Sequence, residues 1–128
     1  MKNAELKTIR EGLGLTLQDV AGLTGVQQRT VQYWEAGTLS VPNRVGNMLE
    51  ALEYRVEAVV LKEIFEINKP KKGGHVTLER YQTDEDLHRE RPDLIDLTAR
   101  THAVILNRIR RRLKRLKITA IIKYFELT

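Results

Sequence analysis

The chain contains 128 residues, 41% of them hydrophobic, and 22 lysines and arginines against 17 acidic residues give it a formal net charge of +5. This length and composition predict one small domain, or a domain with an appendage, and the missing cysteines exclude disulfides and thiolate metal sites. The sequence has neither an apolar run of about 18 residues nor a basic-then-apolar leader, so we expect no membrane span, no signal peptide and a cytoplasmic location.

The first predicted helix begins near Asn3, a residue type that caps helices, and carries Leu6, Ile9 and Leu13 at helical spacing. Residues 16 to 37 then predict two short helices that meet at a tight corner.

Three residues support this helix-turn-helix. Thr16 is suited to cap the first of the two helices, with Asp19 three residues on in a loose capping box. Gly25 falls at the corner, where a left-handed backbone costs a residue without Cβ very little.

The second helix of this pair has two different faces. Val31 and Trp34, at i and i+3, are predicted to be buried. The remaining positions form an outward row of amides, a guanidinium and a phenol, namely Gln28, Arg29, Gln32 and Tyr33. A helix fits the major groove of B-DNA, where amide side chains bond adenine edges and arginine forks onto guanine.

At this point the sequence resembles the lambda-repressor-like (Cro/XRE-type) DNA-binding domains over roughly residues 3 to 55. The matching residues are Gly14-Leu15-Thr16, Asp19-Val20-Ala21, Gly25-Val26, Thr30-Val31 and Trp34-Glu35-Ala36-Gly37, followed by Pro42. The resemblance implies that the outward row reads bases and that Arg10 and Glu35 form a structural ion pair. Two residues depart from the family pattern, because Gln27 is a poor N-cap and Leu17 cannot contact a phosphate as the family's glutamine does.

After a turn from Thr38 to Asn43, a fourth helix is predicted from about Pro42 to Ile67, with Ser40 able to cap it. Arg44 at its start is suited to hold a phosphate beside the backbone N–H groups, or it is a free surface side chain. The second half of the helix has a wide apolar face that requires cover from the C-terminal part or from another subunit. The full predicted DNA-binding set is Gln27, Gln28, Arg29, Thr30, Gln32, Tyr33, Thr38 and Arg44.

Residues 68 to 74 are rich in helix breakers, so we predict a boundary there between a DNA-binding domain over 1–68 and a C-terminal region over 69–128. The second region begins with a short strand over 75–81 and a short helix over 84–90. A long amphipathic helix follows, with its apolar stripe at Ile95, Ala99, His102, Leu106, Ile109, Leu113 and Leu116. The apolar tail over 118–127 predicts a strand that pairs with residues 76 to 81 or across a dimer. The predicted fold class is therefore mainly α, with a small α+β C-terminal region.

The net charge is concentrated in one segment. Residues 1 to 41 hold four basic and four acidic side chains, whereas residues 108 to 117 hold seven basic side chains and no acidic one. This basic run is either the solvated face of a packed helix or a phosphate-contacting surface, and a membrane-surface or calmodulin-like helix is a third alternative.

No residue pattern predicts catalysis. The three histidines lack metal-ligand spacing, and His102 lies on the apolar stripe, where a packed interior or interface histidine is expected. Gly73-Gly74 lacks the rest of a phosphate-binding loop, and Ser40, the only serine, is better suited as a cap. We therefore predict no enzyme activity, no metal and no cofactor.

The sequence as a whole predicts a homodimeric, sequence-specific DNA-binding regulator that represses its own or a neighbouring operon from an inverted-repeat operator. The layout also resembles a smaller group, the anti-CRISPR-associated and related phage or plasmid autoregulators, and this resemblance implies that residues 69–128 are a dimerisation region. Two alternatives stay open. One is an antitoxin whose C-terminal part binds a toxin protein, and the other is RNA binding by the basic helix.

Overall fold

The computed structural model describes residues 1 to 127, and within them the chain is mainly helical with a small two-stranded sheet. The predicted fold class is confirmed. The chain divides into two compact units, Met1–Val56 and Glu57–Thr128. The predicted assignment of residues 1–68 to DNA binding and 69–128 to dimerisation concerns the roles of the two regions, and it stays a prediction.

The first unit contains α1 (Asn3–Gly12), α2 (Leu17–Thr24), α3 (Gln28–Ala36) and the start of α4 (Asn43–Glu66). Helices α2 and α3 form the predicted helix-turn-helix. Apolar side chains from all four helices are buried, and the most completely buried are Leu6, Val20, Val31, Val45 and Val56.

Local hydrogen bonds explain why α2 begins and ends where it does. The Asp19 N–H donates to Thr16 Oγ1 at 3.0 Å, and the Thr16 N–H donates to Asp19 Oδ2 at 2.8 Å. This reciprocal pair is a complete capping box. Gly25 ends the helix in the left-handed region at φ +73°, and its N–H donates to the Ala21 carbonyl at 2.9 Å. The predicted cap and corner are both confirmed.

The prediction that Asn3 caps α1 is wrong. Lys2 occupies the N-cap position and makes no side-chain cap bond. The Asn3 amide instead donates to the carbonyl oxygens of Trp34 and Leu39. Trp34 lies in the last turn of α3 and Leu39 in the loop after it, so the Asn3 amide joins the start of α1 to the end of α3.

The second unit contains the rest of α4, β1 (His75–Arg80), α5 (Asp84–Glu90), a 3-10 turn (Pro92–Leu94), α6 (Ala99–Arg115) and β2 (Thr119–Tyr124). The two strands are parallel, in a register that runs from His75 opposite Thr119 to Arg80 opposite Tyr124. The sequence left two partners open for the terminal strand, and in the structure β2 pairs with β1, residues 75–80. Side chains of α6 provide much of this unit's core, with Ile105, Ile109 and Leu113 almost fully buried.

Helix α6 begins later than its predicted apolar stripe. Thr98 caps the helix and accepts a hydrogen bond from the Thr101 N–H at 3.1 Å, and Asp84 Oδ1 accepts one from the Ala99 N–H at 2.7 Å. Ile95 therefore lies before the helix and Leu116 directly after it, and they are 70% and 52% exposed, so their predicted places on the buried stripe are wrong. His102 is buried, as predicted.

Among the helices formed by residues 1–127, none combines the length and the hydrophobicity that a membrane span needs.

Candidate nucleic-acid interface

The outer row of α3, defined as Gln28, Arg29, Gln32 and Tyr33, is exposed on the helix. The opposite face carries Val31, which is fully buried, and Trp34, which is 3% exposed. Because the buried residues stand at i and i+3, the helix cannot rotate without exposing them. The apolar face therefore fixes the direction in which the polar row points.

Two further predicted residues lie at the amino end of the same helix. Gln27 is exposed in the N-cap position with an extended backbone, and its side chain makes no cap hydrogen bond. Thr30 is half-buried in the first turn, and its N–H donates to the Gln27 carbonyl at 3.0 Å. The Gln27 amide is thus not used inside the helix, which leaves its hydrogen-bonding groups for an outside partner.

The carboxyl end of α3 is held by a tight turn. Gly37 adopts φ +82°, and the N–H groups of Thr38 and Leu39 both donate to the Tyr33 carbonyl, at 2.9 and 3.2 Å. Asn3 holds the same end through the Trp34 carbonyl. Thr38 is exposed, and this turn fixes it close to the last residues of the outer row.

A nearly buried ion pair joins α1 to α3. Arg10 Nε lies 2.6 Å from Glu35 Oε2 and Arg10 Nη2 lies 2.9 Å from Glu35 Oε1, while Nη1 donates to the Leu15 carbonyl at 3.0 Å. The hydrogen bond to Glu35 raises the pKa of the Arg10 guanidinium above its ordinary value. The two bonds to Glu35 and the third bond to Leu15 together allow the Arg10 guanidinium only one arrangement. The pair therefore fixes α3 against the rest of the unit. This is the pair that the resemblance implied.

Arg44 is the second residue of α4 and is exposed. Its Nη1 donates to the Thr24 carbonyl at 3.2 Å, at the carboxyl end of α2. A guanidinium has five N–H donors, so this bond orients the group and leaves other donors for a phosphate. Asn43, the first residue of α4, is also exposed and is not a member of the predicted DNA-binding set. The sequence feature that could have indicated Asn43 is an amide side chain at the first position of a helix, where phosphate contacts occur.

The charge of this unit is balanced. Residues 1–56 carry six basic and six acidic side chains. The structure thus brings Gln27, Gln28, Arg29, Thr30, Gln32 and Tyr33 onto one helix, with Thr38 directly after it and Arg44 at the start of α4. This arrangement offers hydrogen-bond donors and acceptors rather than a strong positive field.

The second unit has a cleft of about 280 Å³ lined by Glu63, Tyr81, Arg91 and His102, with Leu106 and Ile109 at its apolar side. Arg91 pairs with Glu63 at 2.6 Å and with Asp93 at 2.9 Å. Burial, and to a lesser degree the charge of Arg91, lower the pKa of His102 to about 4.

Within residues 1–127 no group of three histidine, aspartate or glutamate side chains is placed to hold a metal ion.

Comparison with known proteins gives two matches that extend beyond the helix-turn-helix. The sequence profile described as Aca2/YdiL-like matches residues 1–117. The chain is also 34% identical, over 92 residues, to the Aca2 repressor of Pectobacterium phage ZF40, a match that covers 69% of this chain and 79% of that protein. Both matches support the narrower of the two resemblances drawn from the sequence, to anti-CRISPR-associated regulators. The chain belongs to the Aca2/YdiL-like family.

Proposed function

We propose that this protein is a lambda-repressor-like, sequence-specific DNA-binding protein that acts as a homodimer on an inverted-repeat operator and represses its own or a neighbouring operon. The observation that carries the proposal is the exposed outer row of α3, which is fixed by Val31 and Trp34 behind it and by the Arg10–Glu35 pair. The name of the phage relative, a repressor, agrees with it.

Each side chain in the row has a matching partner on DNA. The amides of Gln28 and Gln32 suit the N6 and N7 edge of adenine, and the Arg29 fork suits O6 and N7 of guanine. The exposed Tyr33 offers a ring for a thymine methyl group and a hydroxyl for a phosphate. These groups specify the sequence, because the pattern of donors and acceptors in the major groove differs for every base pair.

The other predicted residues position the helix rather than read bases. Gln27 and Thr38 flank the two ends of α3, and Arg44 lies at the amino end of α4 with its guanidinium tied to Thr24. Contacts from such groups to phosphate oxygens fix the register of a protein on the duplex but carry no sequence information. Because the unit is neutral, we expect its discrimination to come from base contacts and not from general attraction to DNA.

Two features of the second unit support a homodimer. On the short sheet, Ile121 and Tyr124 of β2 are 46% and 53% exposed, and on α4 the side chains of Leu61 and Phe65 are also exposed. An apolar edge strand is a natural site for pairing with another chain. A twofold axis beside β2 would pair it antiparallel with its own copy. On an inverted-repeat operator, the recognition helices of a dimer would meet successive major grooves about 34 Å apart.

The dimer is tested by sedimentation of Ile121→Glu at micromolar concentrations. A carboxylate facing its own copy across a twofold axis costs several kcal/mol, so the dissociation constant should rise by more than about tenfold. Leu23→Glu, an equally exposed leucine of the first unit, is the matched control and should leave the dimer intact. A wild-type protein that is monomeric throughout, or an Ile121→Glu variant that dimerises normally, would contradict the proposal.

The function as a whole is tested by selecting bound duplexes from a random pool with the full chain. We expect enrichment of two symmetric half-sites with their centres separated by about one turn of DNA. Recovery of a direct repeat or of a single half-site would contradict the dimeric arrangement. No enrichment at all would contradict sequence-specific binding.

A further inference from the structure

The C-terminal basic patch is formed by two segments that are distant in sequence. Its members are Arg111, Lys114 and Arg115 on the last turns of α6, Lys117 directly after the helix, and Lys71 and Lys72 in the loop before β1. All six side chains belong to exposed residues of the second unit. This unit carries 16 basic and 11 acidic side chains, so the whole net charge of +5 lies in it.

Backbone hydrogen bonds hold the two segments together. The Gly73 N–H donates to the Lys117 carbonyl at 2.8 Å, and the Thr119 N–H donates to the Gly74 carbonyl at 3.0 Å. Lys117 itself adopts φ +62°, a conformation that is uncommon for a residue with a side chain. The chain therefore turns sharply after α6 and runs directly beside the lysine-containing loop.

The patch is distinct from the basic residues that have structural partners. Arg108 and Arg112 both pair with Glu57, and Arg110 donates to the Asn107 side-chain oxygen. Within residues 1–127, by contrast, no carboxylate lies within 4.0 Å of the charged groups of the six patch residues. Three of the seven cations in the basic run thus have partners inside the protein, and the other four are exposed in the patch.

Helix stability does not account for this much positive charge. The carboxyl end of a helix carries roughly −0.5 of an elementary charge and favours cations only in the last turn. Six cations gathered there exceed that charge many times over and repel one another. An anionic partner would remove this repulsion.

The burial of α6 selects the kind of partner. Ile109 and Leu113, which lie between the basic residues in sequence, are at most 1% exposed and belong to the core. A helix that enters a membrane surface or a protein groove needs its apolar face free, so this helix is suited to neither.

Arg111 and Arg115 stand one turn apart, about 6 Å along the axis. A DNA strand carries one phosphate per roughly 3.4 Å of axis, so the separation of these two residues is close to two phosphate intervals, about 6.8 Å.

We propose that the C-terminal basic patch binds the phosphate backbone of duplex DNA without regard to sequence. This inference rests on the proposed function, because it assigns the second unit a part in the same complex. Base selection belongs to α3, whereas the patch supplies the sequence-independent and salt-dependent share of the affinity.

The test uses the full chain and a duplex of random sequence, with binding measured by fluorescence anisotropy over a range of salt concentrations. The triple variant Arg111→Ala, Lys114→Ala, Arg115→Ala removes three exposed cations and leaves the core of α6 unchanged. We expect the slope of log affinity against log salt to become shallower by about 2 to 3 units per protomer, since each lost phosphate contact removes about 0.9.

The matched control is Lys7→Ala, Lys62→Ala, Arg100→Ala, which removes the same charge from exposed positions outside the patch. Its slope should change much less. An unchanged slope in the patch variant, or equal changes in both variants, overturns the proposal. So does a loss that appears on single-stranded RNA or on anionic vesicles but not on duplex DNA. Failure of the proposed function would be a different result, namely no enriched sequence in the random pool.

Discussion

The two units of this protein differ most in where they place charge. The first is neutral overall, and its exposed helix presents amides, one guanidinium and one phenol, fixed from behind by apolar packing. The second holds all of the net positive charge, and among residues 1–127 no carboxylate lies within 4.0 Å of the six cations that gather at the carboxyl end of α6. In the account proposed here, discrimination between sequences and attraction to DNA are properties of separate parts of the chain.

The largest expected effect breaks the first unit from within. Glu35→Ala leaves the Arg10 guanidinium nearly buried without its partner, so we expect a loss of about 3 to 5 kcal/mol in the free energy of unfolding. Urea denaturation of the full chain measures it. Glu50→Ala, which removes an exposed carboxylate, is the control and should cost less than about 0.5 kcal/mol. Equal effects of the two substitutions would show that the pair does not fix α3.

The next effect belongs to the second unit and depends on pH. The pKa of His102 is about 4 in the folded protein because the ring is buried, against about 6.5 when unfolded. Between these values the unfolded chain binds the proton and the folded one does not, so stability is full above pH 6.5 and falls as the pH drops to 4. The loss should be on the order of 3 kcal/mol.

Denaturant titrations of the wild type and of His102→Leu, compared at several pH values, isolate this contribution from that of the carboxylates. The variant should lose less stability than the wild type between pH 6.5 and pH 4. Gln82→Leu, which replaces a polar by an apolar side chain at an exposed position of the same unit, should keep the wild-type pH dependence. If His102→Leu shows the same pH dependence as the wild type, the histidine is not what makes the second unit sensitive to acid.

The smallest effect sharpens the distinction between positioning and reading in the first unit. Arg44→Ala should weaken binding to every duplex by a similar factor and make the salt slope shallower by about one unit, because a single phosphate contact is lost. Arg44→Lys keeps the charge and should restore most of the slope. A loss confined to one sequence would instead make Arg44 a base-reading residue.

The elements that the sequence predicts well are those defined by near neighbours. The Thr16 cap needs only Asp19 three residues away, and the corner at Gly25 needs only a glycine after an apolar helix. The buried and exposed faces of α3 follow from the spacing of Val31 and Trp34 in the same way. Such features depend on geometry within one or two turns, which a sequence records directly.

The features that the sequence did not reveal depend on distant partners. Asn3 looked like a cap, but its amide bonds the carbonyls of Trp34 and Leu39, more than 30 residues away. Glu57 pairs with Arg108 and Arg112, a contact that no local pattern indicates. The partner of β2 also stayed open, because an apolar β-branched segment pairs equally well within a chain or between chains.

The central claim is that the outer row of α3 reads bases. The most direct test is to measure the affinity of the Arg29→Ala variant for the selected duplex and for a random duplex, and to compare the ratio of the two affinities with that of the wild type. We expect affinity for the selected site to fall by about 1 to 3 kcal/mol while affinity for random DNA hardly changes, so the ratio falls by one to two orders of magnitude. Arg100→Ala, an exposed arginine of α6, should leave the ratio unchanged. An equal loss on both duplexes with Arg29→Ala would contradict the claim.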